Sequence, residues 1–484
     1  MANDTNGAKP AGKPGAGPPA GQGWRARAWR ALRRTGRGAR DLVRSNLSRL
    51  LTFVVGVLVG VLLSTLAANG WPFVGEDEGD LGGDVLLVLS GADDSPGSER
   101  DRLIRTWNAL HPDMPADIVP ASSTADDAVS DMRTAAQSKA HDVDVYNLDV
   151  VWMAEFAENG WIRPLEDVDT TGFLEKPLDT CRYEGKLWAL PFNTDAGLLY
   201  YRYPQLVQHG VAEDRADLAK NPPRSWDSIA KVIDTAFSGP RRAGDPLQAG
   251  YTAQFDDYEG LTVNAMEAIW AGEGEVVDDE GTVRLGSEAA KQALRELGEA
   301  FRSSRDVLPG SATFQEQQSR DAFADRKVLF MRNWPLAYRQ MTTPADEGGA
   351  ATTTAPTDIS VTRLPGPSAL GGQNLAVASK SRHPEAAEQL VEFLTSEASQ
   401  QILFQDGGYA ATRQRIYEDP YIRENYGYAK ILLEAVKGAK LRPVTPYYGK
   451  FSATFRSIVL NVLRTGDDVS ANDVRRLQDA LEGK

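Results

Sequence analysis

The chain has one cysteine, Cys181, in 484 residues, and four histidines, His111, His141, His209 and His383. A single thiol excludes an intramolecular disulfide, a multi-cysteine zinc site and an iron–sulfur cluster. Four scattered imidazoles leave little material for a metal centre or a nucleophilic triad, and no cofactor is expected. The phosphate loop Gly-x-x-x-x-Gly-Lys-Ser/Thr, the Gly-x-Ser-x-Gly elbow, the His-Glu-x-x-His pair and a calcium loop of alternating acids are all missing. No segment repeats with a period of roughly 20 to 50 residues, which argues against a solenoid or propeller. Positive charge is scarce beyond the N-terminus. The 53 Lys and Arg against 67 Asp and Glu sum to −14, but residues 1–49 hold eleven basic and two acidic side chains, leaving −23 for the rest. A folded part of that sign repels phosphate, so nucleic acid is not the expected partner.

The composition, 42% apolar and 25% charged, is that of a folded chain. Its length suits about two or three domains. Residues 1–23 are rich in Gly, Pro and Ala without an apolar period, too little apolar surface to offset ordering entropy. Nine arginines follow, from Arg25 to Arg49. Leu50 to Ala68 is then free of charge; as a helix it reaches about 28 Å, close to the thickness of a bilayer core. Arginines before it and Glu76, Asp77, Glu78 and Asp80 after it predict a single-pass protein with a cytoplasmic N-terminus and an extracellular remainder. The arginine-rich stretch reads as a topology signal and anionic-lipid contact, or alternatively as a partner surface. A cleaved signal peptide ending near Ala67 and Ala68 is the alternative to an anchor, and the length of the preceding region argues against it. The expected organisation is a disordered arginine-rich tail (1–49), a transmembrane helix (50–68), an acidic linker (69–83) and an outer region (84–484).

In the outer region, Val85 to Leu89, Ile118 with Val119, and Val143 to Leu148 read as strands, alternating with helical segments at Glu99 to Leu110 and Asp126 to Ser138. That alternation predicts βαβ units and a parallel sheet covered on both sides. Ser225, Ser287 and Pro384 mark the starts of further helices. Val328 to Met331, Ile359 to Leu364 and Leu375 to Ala378 read as strands returning to a sheet, and residues 426–481 are mostly helical in pattern. Four hundred residues exceed what one core usually holds, so two α/β lobes with a cleft between them are expected.

Short turns carry a set of aromatic and polar residues: Asn147, Asp149 and Trp152; Asn193, Asp195 and Tyr200; Tyr258, Glu259 and Trp270; Asn333, Trp334 and Tyr338; Arg442, Tyr447 and Tyr448. A sugar has an apolar face of C–H groups and a rim of hydroxyls, so its site needs flat rings with carboxylates and Arg at the edge. Trp152 and Trp270 sit in helical pattern and suit a core better than a site. Pro335 holds Trp334 in a turn at a strand end, where α/β clefts form. Adjacent acids such as Asp256 with Asp257, or Asp278, Asp279 and Glu280, read as solvated loops, because a glycosidase needs carboxyls converging across a cleft.

The segments DVYNLDVVWMAEF (144–156), GKLWALPFNTDAGLLYYR (185–202), YEGLTVNAMEAIW (258–270), MRNWPLAY (331–338), LPGPSALGGQNLAVA (364–378) and RPVTPYY (442–448) together resemble family 1 extracellular solute-binding proteins. The resemblance is strongest to the trehalose- and maltose-binding branch that serves ABC sugar importers, and it runs over residues 84–484. It implies a type II periplasmic-binding-protein-like fold of class α/β, with hinge-crossing segments between two lobes. Lobe 1 is placed at about 84–195 with 364–405, and lobe 2 at about 196–363 with 406–484. It also implies a small-molecule sugar as ligand, ABC permease subunits as partners, and no catalysis. By position, Asp149 and Asp195 match acids that bond sugar hydroxyls, Trp334 a stacking ring, Arg442 an arginine gripping hydroxyls, Tyr448 an aromatic wall and Gly372 a backbone contact. Tyr258, Glu259, Trp270 and Tyr447 are secondary candidates. Gln373 stands where the pattern commonly has Trp, exchanging a stacking plate for an amide. Two other uses stay open: a receptor reporting through the span to a cytoplasmic partner, and a glycosidase using Asp149 or Glu259 with Asp195.

Overall fold

The computed structural model describes residues 85–484, apart from 123, 139–141, 215–217, 219–221, 240–241 and 344–357. The expected tail, membrane span and linker lie outside the described residues. Among the described residues no helix is long and apolar enough to cross a membrane.

The first βαβαβ run forms as its pattern predicts: β1 (Leu86–Ser90), α1 (Glu99–Leu110), β2 (Ala116–Pro120), α2 (Ala125–Gln137) and β3 (Val145–Asp149). The chain then supplies β4 (Leu190–Ala196) and β5 (Leu198–Arg202), which run in succession with only Gly197 between them. Next come α3 (Trp226–Ser238), β6 (Ala249–Thr252), α4 (Glu259–Ala271), α5 (Glu288–Arg302), α6 (Glu316–Ala324) and β7 (Val328–Asn333). Strands β8 (Ile359–Arg363) and β9 (Leu370–Val377) are followed by α7 (Pro384–Leu394), α8 (Ala429–Gly438), α9 (Tyr448–Thr465) and α10 (Ala471–Leu481). Ser225 and Ser287 cap α3 and α5 by accepting from the backbone N–H of Ser228 and Ala290, and Pro384 opens α7 where a missing N–H costs nothing.

Two main sheets result, in the orders β2-β1-β3-β9-β4 and β8-β5-β7-β6. The expectation of a parallel sheet is corrected here. β1 is parallel to β2 and β3, but β9 is antiparallel to both β3 and β4, and only β6 with β7 is parallel in the second sheet. The reason is the crossing. The chain leaves the first sheet after β4, builds the second, and returns through residues 364–369 to enter β9 from the opposite end. Helices or loops cover both faces of the second sheet, so Leu198 and Tyr200 join one apolar core while Leu199 and Tyr201 join another. Strands buried on both sides read as continuous apolar runs. α4 is buried nearly all round and packs against α5 and α9, which makes it a fixed post within its lobe.

One backbone feature brings the strands to the site. The β9–β4 register shifts between Gln373 and Asn374, and Gly372 just before it has φ +117°. A Cβ there would lie 2.2 Å from the Asn193 carbonyl oxygen. Gly372→Ala is therefore expected to destabilise the protein by about 2 kcal/mol or more through strain and clash; an unchanged thermal midpoint would contradict this.

Candidate ligand-binding cleft

β3, β4 and the start of β9 present their residues at one end of the strands of the first sheet. Asp149 ends β3 opposite Gln373, and Asp195 lies near the end of β4 opposite Gly371. The N-terminus of α4, the turn after β7 and the segment after α8 approach these strand ends with Tyr258 and Glu259, Trp334, and Arg442. All of these residues, with Gly372, border one cavity of about 350 Å³. A larger hollow of about 960 Å³, lined by Tyr201, Ser360 and Glu434 among others, takes in Tyr338 but none of the residues that the resemblance assigns to the ligand.

Tyr200, which is fully buried, and Tyr338 do not border this cavity, nor do three of the positions that the resemblance singles out. Tyr448, expected as an aromatic wall, is fully buried and donates its hydroxyl to Glu259 Oε1 at 2.6 Å. It is the first residue of α9, facing the core. Trp270, at the far end of α4, is buried beside Lys440 and borders a different hollow. Tyr447 is 47% exposed, with its ring against Gly483 near the C-terminus.

Arg442 is the electrostatic centre. Its Nη1 donates to Glu259 Oε1 at 2.6 Å and its Nη2 to Asp149 Oδ1 at 3.0 Å. Glu259 also accepts from Ser452 Oγ at 2.6 Å through Oε2. With Arg442, Tyr448 and Ser452 as donors, the Glu259 carboxylate is satisfied and serves to orient Arg442. Burial opposes the Arg442 charge, but Asp149, Tyr448 and Glu259 more than offset this and hold its pKa up.

Trp334 is set by three contacts. Its backbone N–H donates to Asn333 Oδ1 at 2.8 Å, its Nε1 to Glu316 Oε1 at 3.2 Å, and its carbonyl accepts from Tyr200 at 2.7 Å. The Arg332 guanidinium lies 3.8 Å from the ring centroid, covering one face.

The pattern reading named neither Arg100 nor the roles of Asn147 and Asn193. Arg100 Nη2 donates to Gln373 Oε1 at 2.8 Å, so the amide nitrogen of Gln373 is left to bond elsewhere. An arginine in the first turn of a helix opposes the helix dipole. That was the available signal for Arg100. The amide oxygens of Asn147 and Asn193 and the Nε atoms of Arg100 and Arg442 are buried without a partner among the described residues, and all four residues border the cavity. Buried polar atoms of that kind are what a hydroxyl-bearing ligand satisfies.

Burial, then the nearby Asp149 charge, pushes the Asp195 carboxyl up to about 7, against the pull of Arg100 and Arg332. Hydroxyls donating to Asp195 favour its ionised form and so lower its pKa in a complex. Affinity is therefore expected to rise by about three- to tenfold between about pH 5 and about pH 8, levelling above the free-state pKa. Titration calorimetry across that range checks it, and Asp195→Asn should flatten the profile.

A polar cleft flanked by a tryptophan, between two α/β lobes that the chain crosses repeatedly, defines a protein that captures a small solute. The chain belongs to the bacterial extracellular solute-binding protein family, whose profile matches residues 104–429. A probable ABC transporter-binding protein of Deinococcus radiodurans is 30% identical over 357 residues, 71% of this chain and 80% of the relative. The maltotriose-binding protein of Pyrococcus abyssi is 23% identical over 308 residues, 62% of this chain and 60% of the relative. Among solved structures, maltose-bound MalE3 of T. maritima superposes with a TM-score of 0.71 at 25% identity, covering 82% of this chain and 99% of that one. The GacH receptor of Streptomyces glaucescens has the same fold, with a TM-score of 0.70 at 22% identity over 83% of this chain and 99% of that one.

Proposed function

We propose that this chain binds a di- or oligosaccharide in the cleft and delivers it to the permease of an ABC importer. The observation that carries the reading is the meeting of Trp334, Asp149, Asp195, Gln373 and Arg442 around one cavity of about 350 Å³. A ring for a sugar's C–H face and charged or amide groups for its hydroxyls are the two things such a ligand needs. Closure follows as a population shift, because a ligand touching both lobes at once favours the state in which both can reach it. Maltose- and maltotriose-binding relatives support the sugar class. In this reading residues 50–68 anchor the chain with its N-terminus inside the cell; retention of the full chain in the membrane fraction after high-salt and alkaline washing would support the anchor, and release would remove it.

A thermal-shift screen of the purified full-length chain against trehalose, maltose, maltotriose, amino-sugars and polyols tests the ligand class. A ligand at a hundred times its dissociation constant adds about 2.7 kcal/mol of apparent stability. No response to any carbohydrate would reject the proposal. The satisfied state of Glu259 and the pairing of Asp149 with Arg442 disfavour a glycosidase, and release of glucose from maltose or trehalose would revive it.

A further inference from the structure

Eight residues beyond Glu259 on α4, Glu267 lies at the place where the chain crosses between sheets. Its Oε1 accepts from Ser368 Oγ at 3.0 Å and from Ala369 N at 3.1 Å, both on the return crossing. Ser368 Oγ in turn accepts from Gly197 N, on the outward crossing, at 2.5 Å. The two crossings are thus tied at one carboxylate. Gly197 has no room for a side chain there: a Cβ would lie 2.8 Å from both Glu267 and Arg332.

Arg332 holds that carboxylate in a bidentate grip, Nη2 to Oε1 at 2.7 Å and Nε to Oε2 at 2.9 Å, and its guanidinium carbon lies over the Trp334 ring, 3.8 Å from the centroid. Both side chains of the pair are almost wholly removed from solvent. In such a place desolvation cancels much of the attraction, so stability is a weak reason for the pair. Direction is a stronger one. A two-pronged ion pair fixes the plane of the guanidinium, and hence of any ring stacked on it.

We propose that Glu267 and Arg332 are positioning residues for ligand capture: they set the plane of Trp334 and anchor two of the crossing segments, so that ligand contact and hinge geometry move as one unit. The ligand part of this rests on the carbohydrate reading; the hinge part does not. Trp334 stands two residues beyond Arg332 on the same strand end, and Ser368 and Ala369 lead directly into β9, which carries Gln373. A change in the angle between lobes therefore bears on the contacts of Glu267 at two of the crossings.

Two variants of the full chain test it. Ser368→Ala removes the hydroxyl that joins the crossings, and Glu267→Gln with Arg332→Met neutralises the pair together so that no charge is left buried alone. Without ligand, amide hydrogen exchange at Gly197 and Ala369 is expected to accelerate at least tenfold in both. With maltose, dissociation is expected to quicken at least tenfold while association changes less than threefold, and the ligand-induced fall in radius of gyration by small-angle scattering is expected to shrink. A folded double variant with native exchange, maltose kinetics and compaction overturns the proposal. If the double variant does not fold, Ser368→Ala decides by the same criteria. If the unmodified chain binds no sugar, the carbohydrate reading fails, and the exchange measurement still decides the hinge assignment.

Discussion

Replacing Trp334 by Ala should weaken sugar binding at least tenfold and leave the thermal midpoint within a few degrees of the unmodified protein. The ring borders the cavity and Arg332 covers one of its faces, so in the proposed reading the sugar stacks on the other. Stacking on a protein aromatic contributes about 1 to 3 kcal/mol by alanine substitution in other ligands, or about one to two decades of affinity. On the opposite lobe residue 373 is an amide held by Arg100, so it cannot replace the lost plate. Folding should tolerate the change because the side chain is only partly buried and its single polar partner, Glu316, is a neighbour on the same rim. Calorimetry on a folded variant is the measurement, and an unaltered affinity would remove Trp334 from the site.

Arg442→Ala should act differently, lowering stability and affinity together. The guanidinium separates two carboxylates, Asp149 and Glu259, with its side chain 2% exposed. Truncating it leaves Glu259 buried with its charge uncompensated, which costs about 3 to 5 kcal/mol. It also removes a charged donor whose Nε has no partner among the described residues; a ligand hydrogen bond to such a group is worth about 1.5 to 3 kcal/mol. The ligand-free thermal midpoint should fall by several degrees and sugar affinity by more than tenfold. Weakened binding with an unchanged midpoint would mean that Arg442 serves the ligand alone and that the Glu259 network carries no structural load. Glu259→Gln, which keeps hydrogen-bonding capacity, should show a milder version of both effects.

Local pattern was a good guide to the elements. Apolar runs of four to six residues marked β1, β7 and β8, and Ser225, Ser287 and Pro384 marked helix starts, because caps and periodicity depend on residues within one or two turns. It was a poorer guide to β4 and β5. There a polar Asn-Thr-Asp stretch and a glycine interrupt the apolar run, since the segment has to line a cleft and pass between sheets. The direction of β9 was not legible at all, because it depends on which end of the first sheet the returning chain meets.

The sequence by itself determined the alternation of strands and helices, the caps, the acidic charge of residues 84–484 and the ordered motifs shared with solute-binding proteins. Tertiary structure alone decided which aromatic faces the cavity and which the core, separating Trp334 from Tyr448 and Trp270, and it alone turned Glu259 from a ligand contact into the support of Arg442. The physical reason is separation along the chain. Arg442 meets Asp149 across 293 positions and Glu259 across 183, and a side chain's partners at such distances follow from how whole lobes pack, not from its neighbours in sequence.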